Sequence, residues 1–425
     1  MRRLLLLLIL VTFLVPSRAL CEEGGEPVVE VKPPESYHLK KIALFPLELP
    51  VYVFKGALWP ITEGVGYLER KHVFDRAADF LSNEEKTFWV YPIVNWGGGD
   101  NFGGGVGFKD IDLFNDKYVL NAEYTINIAL NQFAKLSLAK NDAFRLWDRS
   151  MSFWTGVEFD RTLNADYYGR GGNSVQGNRS RYTINDIDWD GQLFYDLGWN
   201  VNLRGSVGIA TARTGPSTKG GYPAVDTTFG AANLPGFEMW LTYLRLGLGV
   251  IHDTRDSRMR PQRGGQRMLK FYRFQCLGDN DFSFNEYSLD VEQYFPLWKP
   301  GLVFHVRTNW IFQQEVGSER VPFYRLDLLD YKAPLRGFKR GRFRDKSSAL
   351  FNFEYLFPLS RMVGGIFFVD TGRVFNGVKN FSFSNWKYSV GWGLDLHLFR
   401  VTLLKFRMAY GGEGINLILG MSRDL

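Results

Sequence analysis

Three charged segments hold the residue types from which a site can be built. The first, His252-Asp253-Thr254-Arg255-Asp256-Ser257-Arg258-Met259-Arg260-Pro261-Gln262-Arg263-Gly264-Gly265, follows an apolar run. Its aspartates can cap backbone amides and its glycines can adopt positive φ, so on chemistry alone it reads as a charged turn. The second, Leu335-Arg336-Gly337-Phe338, has the make-up of a basic loop tip. The third is a pair of acids, Glu354 in Phe351-Asn352-Phe353-Glu354-Tyr355 and Asp370 in Phe367-Phe368-Val369-Asp370-Thr371-Gly372-Arg373-Val374. Catalytic patterns are missing from the sequence: it has no zinc-ligand pair of cysteines, no HExxH, no phosphate-loop lysine motif and no GxSxG elbow. The glycine-rich run from Gly97 to Gly105 precedes no helix, so it reads as a hairpin turn and not as a phosphate cradle. Cys21 and Cys276 are the only cysteines and build neither a redox nor a metal framework. The sequence therefore predicts no enzyme, no cofactor and no metal. A net charge of +6, with its clearest basic cluster at Lys339 to Lys346 inside one connection, does not point to nucleic acid.

The elements that must position these groups come next. Met1-Arg2-Arg3, an apolar stretch from Leu4 to Val15, Pro16 and Ser17-Arg18-Ala19 have the layout of a signal peptide cleaved after Ala19. Arg18 and Leu20 beside Cys21 do not suit a lipoprotein signal. Residues 20–36 are acidic and Pro-rich, as expected of a periplasmic tail. From Ile61 to Lys86, Leu68, Val73, Phe74, Ala77, Phe80 and Leu81 make an apolar stripe among charges, which predicts one helix. It reads as a linker packed at a barrel mouth in preference to an interfacial membrane helix, because its charge signs are mixed. Past the signal no apolar window reaches the about eighteen residues a membrane helix needs.

From Thr87 onward, period-two alternation recurs roughly every 23 residues without interruption by a helical pattern. Leu120, Ala122, Tyr124, Ile126 and Ile128 alternate with Asn121, Glu123, Thr125 and Asn127; Ile187, Trp189, Leu193 and Tyr195 oppose Asp186, Asp188, Asp190 and Gln192. Leu302, Phe304, Val306, Thr308 and Trp310 oppose His305, Arg307 and Asn309; Val390, Trp392, Leu394 and Leu396 oppose Ser389, Gly391, Gly393, Asp395 and His397. One face suits lipid and the other a polar lumen, and alternation puts Asn352 and Glu354 on the lumen side. The 45 glycines and 16% aromatic residues suit such a barrel. About sixteen strands are expected, starting near Phe88, Gly104, Tyr118, Phe133, Met151, Tyr182, Val201, Met239, Gln266, Phe284, Leu302, Ala349, Gly365, Tyr388, Val401 and Gly414. Short connections at Leu197 to Asn200, Pro296 to Gly301, Pro358 to Val363 and Phe399 to Val401 alternate with long ones at Arg161 to Arg181, Thr211 to Phe237, Gln313 to Ser348 and Val374 to Lys387. The expected fold is thus all-β, a sixteen-stranded antiparallel transmembrane β-barrel over 87–425, with the signal at 1–19 and the tail and helix at 20–86.

The motifs, taken together, resemble the bacterial surface-antigen or outer-membrane assembly-factor superfamily (BamA/TamA-like). Asp253, Thr254, Arg255, Asp256, Pro261 and Gly264 match its DTRD…P…G periplasmic turn. Leu335-Arg336-Gly337-Phe338 matches the tip of the sixth outer loop, which in that superfamily folds back into the lumen. The resemblance implies that Glu354 and Asp370 hold Arg336, a pairing that suits the rigid fork of a guanidinium. It also implies outer-membrane localisation, a monomeric barrel in lipid, and work on nascent outer-membrane proteins or with other assembly factors. The function implied is assisted insertion or translocation of polypeptides or lipids through a seam between the first and last strands, where Gly103, Gly104, Gly105, Gly414 and Gly420 weaken the edges. Two departures stand against it. Residues 20–86 leave no room for a polypeptide-transport-associated domain, and the chain ends in Leu425 where an aromatic is typical. They favour the alternative of a structural or anchoring barrel, or a narrow pore, without insertase activity.

Overall fold

The computed structural model describes residues 51–96, 102–258, 260–278, 281–329, 335–398 and 401–421. The signal, the 20–36 tail, residues 97–101, Met259 and Leu425 lie outside them. The chain divides into two units, Met1–Ala57 and Leu58–Leu425. In the first, residues 51–57 are helical.

The second opens with two helices, α1 (Trp59–Arg70) and α2 (Val73–Leu81), where the stripe predicts one. Pro60 sits in the first turn of α1, where its missing N–H costs nothing. The break falls at His72, whose φ of 53° no helix accommodates. None of the described α1 residues is buried, Phe80 of α2 is 87% exposed, and Glu69 of α1 lies 3.5 Å from Arg361 in the turn at residues 359–362. Asn83 then turns the chain into the sheet: its side-chain oxygen accepts the N–H groups of Thr87 (2.9 Å) and Phe88 (3.0 Å).

Among the described residues eighteen strands follow: β1 (Phe88–Trp96), β2 (Gly103–Leu113), β3 (Tyr118–Asn127), β4 (Gln132–Leu146), β5 (Arg149–Tyr167), β6 (Ser180–Gly198), β7 (Val201–Ser217), β8 (Trp240–Asp253), β9 (Gly264–Leu277), β10 (Phe284–Pro296), β11 (Val303–Glu315), β12 (Asp327–Leu328), β13 (Arg344–Asp345), β14 (Ser347–Pro358), β15 (Val363–Phe375), β16 (Lys387–Leu398), β17 (Val401–Tyr410) and β18 (Ile415–Met421). All but β12 and β13 form one closed antiparallel barrel in sequence order, with β11 beside β14 and β1 beside β18. Sixteen strands therefore span, as alternation predicts.

Faces follow the pleat. Tyr124, Ile126, Ile187, Trp189 and Leu193 are exposed on the outside, while Glu123, Thr125, Asp190, His305 and Asn309 are buried inside. Leu302 departs from its expected outward place, because it lies in the turn before β11 and is buried there. The expected outer loops at 161–181 and 211–237 are shorter than the sequence suggests, since β5 runs on to Tyr167, β6 starts at Ser180 and β7 ends at Ser217. These extensions are held by an apolar cluster inside the outer end of the barrel. There Tyr167, Tyr182, Tyr243, Phe274 and Phe284 pack with Phe323 of the sixth outer loop and Val225 of the short helix α3 (Val225–Phe229). Strand length beyond what a bilayer needs is thus set by loop packing, which period-two alternation does not register.

Candidate functional site

The loop between β11 and β14 is not an exposed basic arm. Its two ends pair as β12 with β13, Asp327 opposite Asp345 and Leu328 opposite Arg344. Leu335, Phe338 and Phe343 bury themselves against Leu329, Leu350 and Val374, which docks the tip on the inner faces of β14 and β15. The arginines serve as struts. Arg325 bonds Asp186 on β6 at 3.0 Å, and Arg344 donates to the backbone oxygens of Asp166 (3.1 Å) and Phe323 (3.3 Å). On the facing wall Tyr168, just past β5, is buried, and burial pushes its hydroxyl up to about 12.

At the tip the structure brings Arg336, Glu354 and Asp370 together. Arg336 Nη1 donates to Glu354 Oε1 at 2.6 Å, and Nε and Nη2 reach the two oxygens of Asp370 at 3.0 and 2.5 Å. Arg336 is 7% exposed and Asp370 is 0% exposed, so these charges have left water and depend on one another. Asp370 is saturated by further donors: the Arg336 N–H (3.1 Å), Asn352 Nδ2 (2.7 Å) on β14 and Ser389 Oγ (2.9 Å) on β16. The guanidinium also lies 3.6 Å from the Phe368 ring centroid, a cation–π contact from the lumen side of β15. Sequence reasoning missed Phe368, although its even spacing from Asp370 was the signal that both face inward. Gly337 fits because a Cβ there would stand 2.5 Å from Ser389 Cβ and from the Gly411 nitrogen.

From Glu354 a chain of polar contacts runs down the lumen to the charged turn. Glu354 Oε2 meets His305 Nδ1 at 2.8 Å, and His305 stacks on Tyr294 with ring centroids 4.1 Å apart. His305 Nε2 lies 3.6 Å from Glu292, which accepts from Arg255 Nη1 at 2.7 Å. Arg255 in turn forks onto Asp253, through Nε at 2.9 Å and Nη2 at 2.8 Å. The hydrogen bond to Asp253 raises the arginine further above its already high range. The turn itself is pinned by side chains. Asp256 Oδ1 accepts from the Gln262 and Arg263 N–H groups at 2.9 and 3.3 Å, and Thr254 Oγ1 accepts from the Gly265 N–H at 3.1 Å. Pro261 lies in the same connection, and Gly264 closes it at a φ of 83°, where a Cβ would run into Thr254 O. The two motifs are therefore the ends of one lumenal array, with Glu292 and His305 as the links that motif reading did not supply.

Residues 98–413 match the Omp85 superfamily domain. The chain belongs to the Omp85 superfamily. Its fold is similar to that of BamA from Haemophilus ducreyi lacking POTRA domains 1–3, with a TM-score of 0.58 at 14% identity over 79% of this chain and 70% of that one. CdiB from Acinetobacter baumannii gives 0.52 at 12% identity over 79% of this chain and 59% of its own, and CdiB from Escherichia coli gives 0.51 at 10% over 80% and 63%. The chain thus spans less than two thirds of either CdiB chain. No curated protein matches the sequence. Superfamily and fold place the chain in the outer membrane of a Gram-negative-type bacterium.

In this Omp85 barrel the first and last strands meet, among the described residues, by two residue pairs, Asn95 with Gly420 and Trp96 with Leu419. On its other side β1 pairs with β2 continuously from Phe88 to Asn95. Gly420 is thus in the junction itself, with nothing within 4 Å of where a Cβ would stand, and Gly414 lies in the turn before β18 at a φ of 122°. Gly103, Gly104 and Gly105 lie on β2, beside β1 and opposite Asn95, Val94 and Ile93. There Gly103 and Gly105 permit close approach to β3, since a Cβ on Gly105 would collide with Tyr124 O.

Proposed function

We propose that this Omp85 barrel assists insertion or translocation of polypeptides or lipids at the outer membrane, by parting at the junction of β1 and β18. The observation that carries the reading is the pairing itself. Among the described residues β1 and β18 meet through Asn95 with Gly420 and Trp96 with Leu419, and Gly420 brings no side chain to pack across the junction. A strand edge released from its partner is a template for strand addition, and such addition needs no covalent chemistry. Polypeptide clients, and assembly factors that deliver them, are the partners this reading calls for, with a signal cleaved after Ala19 taking the chain to the periplasm. Depletion tests it: levels of other outer-membrane barrels, or of outer-leaflet lipid, fall if the barrel assists them, and unchanged levels of both rule the reading out.

An anchoring barrel is the reading that remains if depletion leaves both untouched. A standing pore is disfavoured by the apolar cluster around Phe323, Tyr243 and Phe284 inside the outer end.

A further inference from the structure

We infer that the loop tip is a brake on the junction, holding the last hairpin in place, with Asn416 and Glu413 as its positioning residues. This rests on the reading that the junction parts, and adds to it which contacts set how readily β18 leaves.

Three separate contacts tie the tip to the β17–β18 hairpin. Asn416 on β18 donates from Nδ2 to the backbone oxygens of Arg336 (2.9 Å) and Phe338 (3.2 Å), on either side of Gly337. Arg342 of the same loop donates from Nε to both carboxylate oxygens of Glu413 at 2.9 Å, and is itself fixed to Ser174 through Nη1 (2.7 Å) and Nη2 (2.8 Å). Gly337 and Gly411 press backbone to backbone: a Cβ on Gly411 would stand 2.7 Å from Gly337 O, and one on Gly337 would stand 2.7 Å from Gly411 Cα. Arg336 meanwhile anchors the tip to Glu354 on β14 and Asp370 on β15. The tip therefore bridges β14 and β15 to β18 from inside the lumen, passing over β16 and β17.

β17 and β18 are paired from Leu404–Met421 through Tyr410–Ile415, which holds the two strands together as a hairpin. When the barrel parts, the hairpin swings as a unit away from β1. It cannot do so without stripping Asn416 from two carbonyls and Glu413 from Arg342, both at its lumen side. These contacts resist the swing from inside the lumen, and the charge-assisted pair of Arg342 with Glu413 is the stronger of them.

Hydrogen exchange on the full chain in outer-membrane vesicles tests the brake. In N416A combined with E413Q, amides of 415–421 are expected to exchange about tenfold faster than in wild type, while β16 (387–398) and the tip residues 335–343 keep their protection. Because a global loss of stability would speed all three, the contrast isolates the hairpin. G411A, which pushes the turn off the tip with Asn416 and Glu413 intact, is expected to give the same pattern and stands in if the double variant fails to assemble. Unchanged exchange of 415–421 in both variants overturns the brake. Faster exchange together with unaffected client barrels upon depletion of the protein keeps the brake and removes the insertion reading; unchanged exchange together with lost client barrels does the reverse.

Discussion

Replacing Arg336 by alanine removes the group that forks onto two buried acids. Breaking a buried pair costs about 3–5 kcal/mol when the partner is left without compensation. Here compensation is partial. Asp370 keeps Asn352, Ser389 and the residue-336 N–H, and Glu354 keeps His305, which places the loss at the low end. Losing the contact over Phe368 adds about 1 kcal/mol. A loss of about 4 kcal/mol shifts the docked-to-undocked ratio of the loop by a factor of roughly a thousand. Trypsin digestion of the protein in intact outer-membrane vesicles reads this directly, since Arg342 and Arg344, buried while the tip is docked, become cleavable when it leaves the lumen. Arg336→Lys should fall between, because a point charge cannot fork onto two carboxylates. Wild-type protease resistance in Arg336→Ala would refute the reasoning, since it would mean the tip is held by Leu335, Phe338 and Phe343 alone.

Other consequences are open to measurement. Arg255→Ala and His305→Ala each remove a partner of Glu292, so a double-mutant cycle read by thermal midpoint should show a coupling of about 0.5–3 kcal/mol; additivity would mean the lumenal chain is broken between them. Gly264→Ala forces a residue at φ 83° into Thr254 O and should cost more than about 2 kcal/mol, whereas Gly317→Ala, at φ 62° with open space around it, should cost about 1 kcal/mol. Equal midpoints of unfolding on unheated gels for the two variants would contradict a turn fixed by that contact. In planar bilayers the wild type should carry no steady current because the outer end is packed by Tyr243, Phe284 and Phe323, and a lasting ohmic conductance would contradict that packing.

Much of the architecture is legible in the sequence because a membrane barrel imposes period two on every strand. Asp186, Asp188 and Asp190 opposite Ile187 and Trp189 have no other arrangement in which the charges stay out of lipid. Strand starts such as Phe88, Tyr118, Val201, Phe284 and Val401 are found where alternation begins. The same periodicity is silent where packing decides. It gives no sign that β5 to β7 continue above the bilayer to embrace Phe323, nor that β12 and β13 pair within the sixth outer loop. The break at His72 is equally hidden, since no glycine or proline marks it and only the positive φ betrays it. At the site, Arg336, Glu354 and Asp370 stand out through motif resemblance. Their supporting groups do not. Glu292, Phe368, Glu413 and Asn416 lie on four separate elements, and only closure of the barrel and infolding of the loop bring them within reach.

The central claim is that β1 and β18 part to do the work. Cysteines at Asn95 and Gly420, which face each other across the junction, can be joined by an oxidant in living cells. If parting is required, the joined protein fails to restore growth or normal levels of other outer-membrane barrels, and a reductant restores both. Full function with the junction joined would contradict the account.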